Sequence, residues 1–105
     1  MTDVLGVVEE RAGRTIVLRL RGDVDLASES VLTAALRRDF PPDVGEIIVD
    51  LSEVGFLDST GVRVLLEGRE RAQAGGVALT LRNPGPVVLR VLRVTSVAEM
   101  FGLPG

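Results

Sequence analysis

The sequence predicts an α/β fold, with a single-layer mixed β-sheet of about four strands and helices mainly on one face. Strand-like apolar segments alternate along the chain with amphipathic segments of helical period, which indicates that helices join neighbouring strands. One strand segment is apolar on one face and charged on the other. This pattern is typical of a sheet that helices cover on one side only.

The first strands are predicted over residues 4–9 and 15–21, and a tight turn at residues 11–14 joins them into a hairpin. In the second strand, apolar side chains alternate with Arg19 and Arg21 on the other face. The stretch Gly22-Asp23-Val24-Asp25 then breaks the strand pattern. Because an aspartate can accept hydrogen bonds from the unpaired N–H groups of a helix start, Asp25 is predicted to cap a helix over residues 26–39.

The apolar run at residues 46–51 predicts a central strand buried on both faces, and Phe56 and Leu57 after it are predicted to be core residues. A second helix is predicted over residues 62–74, with Glu67 and Arg71 as an i,i+4 pair. The last predicted elements are a strand at 77–81, a turn at 83–86, a helix at 87–94 and a helical turn at 97–101.

The composition limits the classes of protein to which the chain can belong. Its 105 residues are enough for a single domain, residues 1–105, and too few for two cores. With a net charge of −3 at pH 7, the chain is not basic enough to suggest a surface that binds nucleic acid. No apolar run approaches the roughly 18 residues of a membrane span, and the first residues lack a signal-peptide pattern. We therefore expect a cytoplasmic protein with neither a nucleic-acid nor a membrane partner.

The segment Leu57-Asp58-Ser59-Thr60-Gly61 lies where the central strand passes into the second helix. Ser59 has no base for nucleophilic catalysis, because the chain holds no histidine and its 12 basic residues are all arginines. The sequence also has no cysteine, no P-loop and no metal-binding spacing. We expect no catalytic residue, no metal, no cofactor and no enzymatic activity. Any phosphoryl transfer to Ser59 then requires another protein.

Two interpretations of Ser59 stay open on spacing alone. The N–H groups at a helix start carry partial positive charge, so a serine there can cap the helix with its hydroxyl or carry a phosphate. Spacing alone favours the capping hydroxyl. Thr60 ranks below Ser59 as an acceptor and is predicted to pack or to cap, and Gly61 leaves room for a partner's backbone.

The segment 57–65, preceded by Val49-Asp50-Leu51-Ser52, resembles the signature of the STAS domain of bacterial anti-sigma factor antagonists. The resemblance extends over residues 4–103, and Gly22-Asp23-Val24-Asp25 is similar to the family's Gly-Glu-Leu-Asp turn. In that family a partner kinase phosphorylates the serine that follows the aspartate. The resemblance therefore implies that Ser59 is the phosphoacceptor, and it reverses the preference for a capping role.

The resemblance further implies partner switching. The unphosphorylated chain binds an anti-sigma factor serine kinase and frees the sigma factor, phosphorylation of Ser59 ends the binding, and a separate phosphatase restores it. The residues expected to contact the partner are Asp23, Asp25, Asp58, Ser59, Thr60, Gly61, Val62 and Arg63. The alternative is a STAS scaffold or sensor module, either stressosome-like or a lipid-transport subunit, whose client is not a kinase.

The sequence departs from the family pattern at its C-terminal end. Chains of the family usually continue past the position of Leu103 into another strand and a helix, whereas this sequence stops at Gly105. The sheet is then one strand smaller, or something else covers its edge. Because an exposed edge invites pairing with another chain, self-association through that edge is a further partner hypothesis.

Overall fold

The computed structural model describes residues 5–105, which form a four-stranded sheet and three α-helices. The strands are β1 (Gly6–Ala12), β2 (Thr15–Val24), β3 (Glu46–Leu57) and β4 (Ala78–Arg82). The helices are α1 (Glu29–Arg37), α2 (Ser59–Ala74) and α3 (Pro86–Val94), with 3-10 turns at Leu26–Ser28 and Glu99–Phe101. The first strand was predicted to begin at Val4, which lies outside the described residues.

The strands lie in the order β1-β2-β3-β4, with β1 antiparallel to β2 and the other neighbours parallel. The predicted fold class, a mixed open sheet of four strands with helices, is confirmed. Because β2 and β3 run in the same direction, both end at the same side of the sheet. We call this side, residues 22–29 and 53–63, the carboxyl end of the sheet.

One continuous core fills the space between the sheet and the helices. Its side chains lie in register across β2, β3 and β4, as in the rows Ile16–Ile47–Leu79 and Leu18–Val49–Leu81. Helices α1 and α2 pack against each other at Gly68, where an added Cβ would lie 2.8 Å from Cδ1 of Leu36. The missing side chain of Gly68 therefore lets the two helices approach closely.

The strands β2 and β3 are longer than the sequence pattern predicts. The prediction that the second strand ends at residue 21 is wrong, because Asp23 and Val24 pair with Phe56 and Leu57 after two shifts in register. Such irregularities disturb the period-two pattern from which a strand is recognised. Leu57 is buried as predicted, but the prediction for Phe56 is wrong, because its side chain is 47% exposed.

The helices also differ from prediction at their ends. The helix predicted over residues 26–39 is divided into the turn Leu26–Ser28 and α1, and α2 begins at Ser59 instead of residue 62. β4 and α3 lie within one residue of their predicted bounds. None of the helices in residues 5–105 has both the length and the apolar character of a membrane span.

The segment after α3 passes along the edge strand β4. An added Cβ at Gly102 would lie 3.6 Å from Cγ2 of Thr80, and the guanidinium of Arg69 in α2 donates to the carbonyl of Met100 at 3.2 Å. Thr80 alternates with the buried Leu79 and Leu81, so it points to the opposite face of the sheet. The edge is therefore contacted by this segment. Self-association through a sheet edge stays a prediction.

Candidate functional site

The two segments singled out by sequence meet at the carboxyl end of the sheet. The backbone N–H of Asp58 donates a hydrogen bond of 3.2 Å to the carbonyl of Val24. This contact joins the end of β2 to the first residue after β3, because the two strands are parallel neighbours. The structure thus brings the Asp23–Asp25 segment beside the start of α2.

Asp58 is the N-cap of α2. Its backbone is extended, with φ −109° and ψ −175°, and its Oδ1 accepts a hydrogen bond of 3.0 Å from the N–H of Gly61. An aspartate in this position satisfies one of the N–H groups that a helix start leaves without a partner. The interpretation of Ser59 as the capping residue is therefore wrong, because the position before it already has that role.

Ser59 is the first residue of α2, and its side chain is exposed. Its hydroxyl makes no hydrogen bond to any group in residues 5–105, whereas the hydroxyl of Ser28 at the neighbouring turn accepts from the N–H of Asp25 and lies within donating distance of three oxygens. Thr60 is half-buried. Of the two hydroxyls at this helix start, that of Ser59 is the more accessible to another protein.

Gly61 and Val62 are buried beneath the helix start. An added Cβ at Gly61 would lie 2.6 Å from Cδ1 of Leu57 and 2.9 Å from the carbonyl oxygen of Val24, which are both too close for a real Cβ. We predicted that the missing side chain of Gly61 leaves room for a partner's backbone. In the structure, Leu57 of β3 and Val24 of β2 occupy the space that this side chain would need.

Asp25 caps the turn that precedes α1, as predicted. Its Oδ1 accepts from the N–H of Ser28 at 3.2 Å, and the hydroxyl of Ser28 accepts from the N–H of Asp25 at 2.9 Å. The same hydroxyl donates to the carbonyl of Asp23 at 2.9 Å. Sequence reasoning missed Ser28, although its position three residues after an aspartate cap is the signal of a reciprocal capping box.

Arg63 lies on the exposed surface of α2, one turn after Ser59. Its guanidinium pairs with Glu29 of α1 and with Glu67 of α2, and the prediction that Glu67 pairs with Arg71 is wrong. The hydrogen bond to Glu67, and to a lesser extent the one to Glu29, raises the pKa of Arg63 above its usual value. Arg63 is therefore a permanent cation that links the two helices beside the site.

The three aspartates of the carboxyl end form no salt bridge within residues 5–105, unlike its two glutamates. Asp23, Asp25 and Asp58 form no salt bridge within the described part of the chain, whereas Arg21 pairs with Glu53 and Arg63 is held by two glutamates. Asp25 and Asp58 are half-buried and Asp23 is exposed. No three His, Cys, Asp or Glu residues of residues 5–105 cluster in a way that could hold a metal ion.

A second aspartate of the sequence signature, Asp50, is buried in β3 with an exposure of 4%. Its Oδ1 accepts from the N–H of Ser52 at 2.8 Å, and its Oδ2 accepts from Arg82 and Asn83 at 3.3–3.4 Å. Burial raises the pKa of Asp50, but these hydrogen bonds outweigh burial and hold the pKa below its ordinary value. β3 and β4 pair as far as Asp50 and Arg82, so this carboxylate lies where β4 ends.

Comparison with protein families matches residues 7–103 to a family described as Mlab, STAS domain. Among curated proteins, the chain is 36% identical to high affinity sulfate transporter 2 of Stylosanthes hamata over 61 residues. It is 31% identical over the same length to sulfate transporter 1.2 of Arabidopsis thaliana. The match covers 58% of this chain and only 9% of the length of each transporter.

Solved structures show the same fold. The anti-sigma factor antagonist from Mycobacterium paratuberculosis is 26% identical with a TM-score of 0.71, and the match covers 94% of this chain and 84% of that one. The unphosphorylated form of the antagonist SpoIIAA is 25% identical with a TM-score of 0.70, over 90% of this chain and 84% of that one. The phosphorylated form of the Bacillus SpoIIAA is 25% identical with a TM-score of 0.69, over 90% and 86%. By the extent of the family match and by its fold, the chain belongs to the STAS domain family.

Proposed function

We propose that the chain is an anti-sigma factor antagonist, a cytoplasmic regulator of transcription without enzymatic activity of its own. The observation that carries the proposal is the state of Ser59, which is exposed and makes no hydrogen bond within residues 5–105 because Asp58 caps the helix. A serine with a structural role would be engaged with its own chain. The likeness to SpoIIAA, solved in unphosphorylated and phosphorylated forms, supports phosphorylation of this chain, and the sequence resemblance assigns it to Ser59.

In this proposal the unphosphorylated chain binds an anti-sigma factor serine kinase through the carboxyl end of the sheet and thereby releases the sigma factor. Phosphorylation adds a charge of about −1.5 to −2 to Ser59. Three aspartates without cationic partners already lie in the same region, namely Asp23, Asp25 and Asp58. A partner fitted to a neutral hydroxyl cannot compensate the added charge, so the complex weakens by a few kcal/mol. A phosphatase reverses the change.

The test is incubation of the purified chain with candidate serine kinases of the anti-sigma class and ATP, followed by intact-mass measurement and site mapping. We expect one phosphoryl group on Ser59, its absence in Ser59→Ala, and normal phosphorylation of Thr60→Val. In binding measurements Ser59→Ala should retain the kinase and Ser59→Asp should lose it. Equal binding by these two variants would contradict the switch.

The second candidate is a STAS module whose client is not a kinase, such as a stressosome-like scaffold or a transport subunit. The match to plant sulfate transporters favours it, because 61 residues of the chain are 33–36% identical to proteins that are named as transporters. For this candidate Ser59 stays unmodified in cells, and purification of the tagged chain yields a client that lacks kinase activity. Mapping of Ser59 in cells therefore separates the two candidates.

A further inference from the structure

Two large apolar side chains are exposed at the carboxyl end of the sheet. Leu26, directly after the cap Asp25, is 69% exposed, and Phe56, which pairs in register with Asp23, is 47% exposed. Leu57 beside Phe56 is fully buried. The exposed parts of Leu26 and Phe56 gain no stabilisation from burial within the chain, and the two residues lie on the two segments that meet beside Ser59.

The charges around this apolar pair that have no salt-bridge partner within residues 5–105 are carboxylates. Asp25 directly precedes Leu26, Asp23 pairs in register with Phe56, and Asp58 follows Phe56 by two positions. None of these carboxylates forms a salt bridge within residues 5–105. The arginines of the region, Arg21 and Arg63, are already paired with glutamates. The surface therefore combines two apolar projections with an uncompensated acidic border.

We propose that Leu26 and Phe56 are the apolar anchors of the partner interface, and that the partner is a protein surface with apolar sockets bordered by arginine or lysine side chains. This inference rests on the proposed function, because both residues lie at the same end of the sheet as Ser59. Interfaces derive most of their affinity from a few desolvated large side chains, while border charges act on specificity and association rate. The anchors supply binding energy that does not depend on phosphorylation. The acidic border supplies the electrostatic attraction to the partner, and a phosphate on Ser59 disturbs this attraction.

The test measures binding of the full chain to the serine kinase that phosphorylates Ser59, without ATP so that Ser59 remains unmodified. Leu26→Ser and Phe56→Ser are each expected to weaken binding at least about 10-fold. The matched controls are Val94→Ser and Met100→Ser, whose parent side chains are 73% and 50% exposed elsewhere on the chain. Both controls should change affinity less than about twofold. All four variants should have the same midpoint temperature of thermal unfolding as the parent chain.

The salt dependence of binding separates the anchors from the border. Across ionic strengths of about 0.01 to 1 M, affinity of the parent should fall as salt screens the acidic border. Leu26→Ser and Phe56→Ser should keep that slope, whereas Asp23→Asn should flatten it.

Each outcome bears on one of the two proposals. If the kinase binds and Ser59→Asp abolishes binding, but both anchor variants bind as tightly as the controls, the inference is overturned and the proposed function stands. Loss of affinity in the controls equal to that in the anchor variants also overturns it. A parent chain that binds no such kinase overturns the function and the inference together.

Discussion

An added Cβ at Gly61 would lie 2.7 Å from Cγ1 of Val24, so the first turn of α2 rests on the end of β2 only because residue 61 has no side chain. The same turn carries Ser59, and the same end of β2 leads into Asp25. Gly61 thus fixes the relative position of the two segments that form the candidate site.

Gly61→Ala should lower the free energy of unfolding by about 1–3 kcal/mol, because the methyl group meets a backbone oxygen and two core side chains that cannot all move away. The measurement is urea unfolding of the purified chain. Gly75→Ala is the control, since φ is −95° there and the nearest atom to an added Cβ is 3.6 Å away. We expect a change within about 0.5 kcal/mol for this control. Similar losses in both variants would contradict the close contact at Gly61.

Asp58→Ala should destabilise the chain by about 0.5–2 kcal/mol, because the N–H of Gly61 loses its acceptor. Asp58→Asn should retain most of the stability, since an asparagine oxygen caps equally well. Ser59→Ala should change stability by less than about 0.5 kcal/mol. Thermal and urea unfolding of the three variants measure this order of stability. A larger loss of unfolding free energy in Ser59→Ala than in Asp58→Ala would indicate that Ser59 is the capping residue.

The folded-state pKa of Asp50 lies below its ordinary value of 3.8. A carboxylate with a lowered pKa stabilises the fold fully above the unfolded-state value, and this stabilisation is lost as the pH falls through the folded-state value. The stability difference between parent and Asp50→Asn should therefore be constant near neutral pH and shrink below about pH 4.

The control for Asp50 is Asp43→Asn. The hydrogen bond from Arg11 lowers the pKa of Asp43, but this pair is exposed to solvent. Its contribution should disappear at high salt, because exposed ion pairs are screened, whereas that of the buried Asp50 should persist. Urea unfolding of both variants between acidic and neutral pH, at low and high salt, measures the difference. A salt-sensitive Asp50 contribution would speak against a buried network.

The pair of Arg63 with Glu29 joins α2 to α1 at the surface. A double-mutant cycle of Arg63→Gln and Glu29→Gln should give a coupling energy of about 0.2–1 kcal/mol at low salt, because both groups are partly exposed. The same cycle with Arg71 and Glu67 should give no coupling, since Glu67 pairs with Arg63 instead. Coupling between Arg71 and Glu67 would support the pair predicted from sequence spacing.

Sequence patterns located most elements of this fold, and they failed where contacts distant in sequence decide the local structure. β4 and α3 were predicted to within a residue because their apolar periods are regular. The extension of β3 past residue 51 was not predictable, because shifts in register with β2 break the alternation that marks a strand. Phe56 was misassigned for the same reason, since its exposure depends on which way the irregular strand turns.

Residue types and their spacing were enough to indicate the family, to exclude histidine, lysine and cysteine chemistry, and to put a serine near the start of a helix. The folded chain was needed to show which residue caps that helix, that the Asp23–Asp25 segment lies beside it, and that Gly61 is buried by the chain itself. Residue types and spacing record local preferences, whereas hydrogen-bond partners and burial depend on parallel strands that are far apart along the chain.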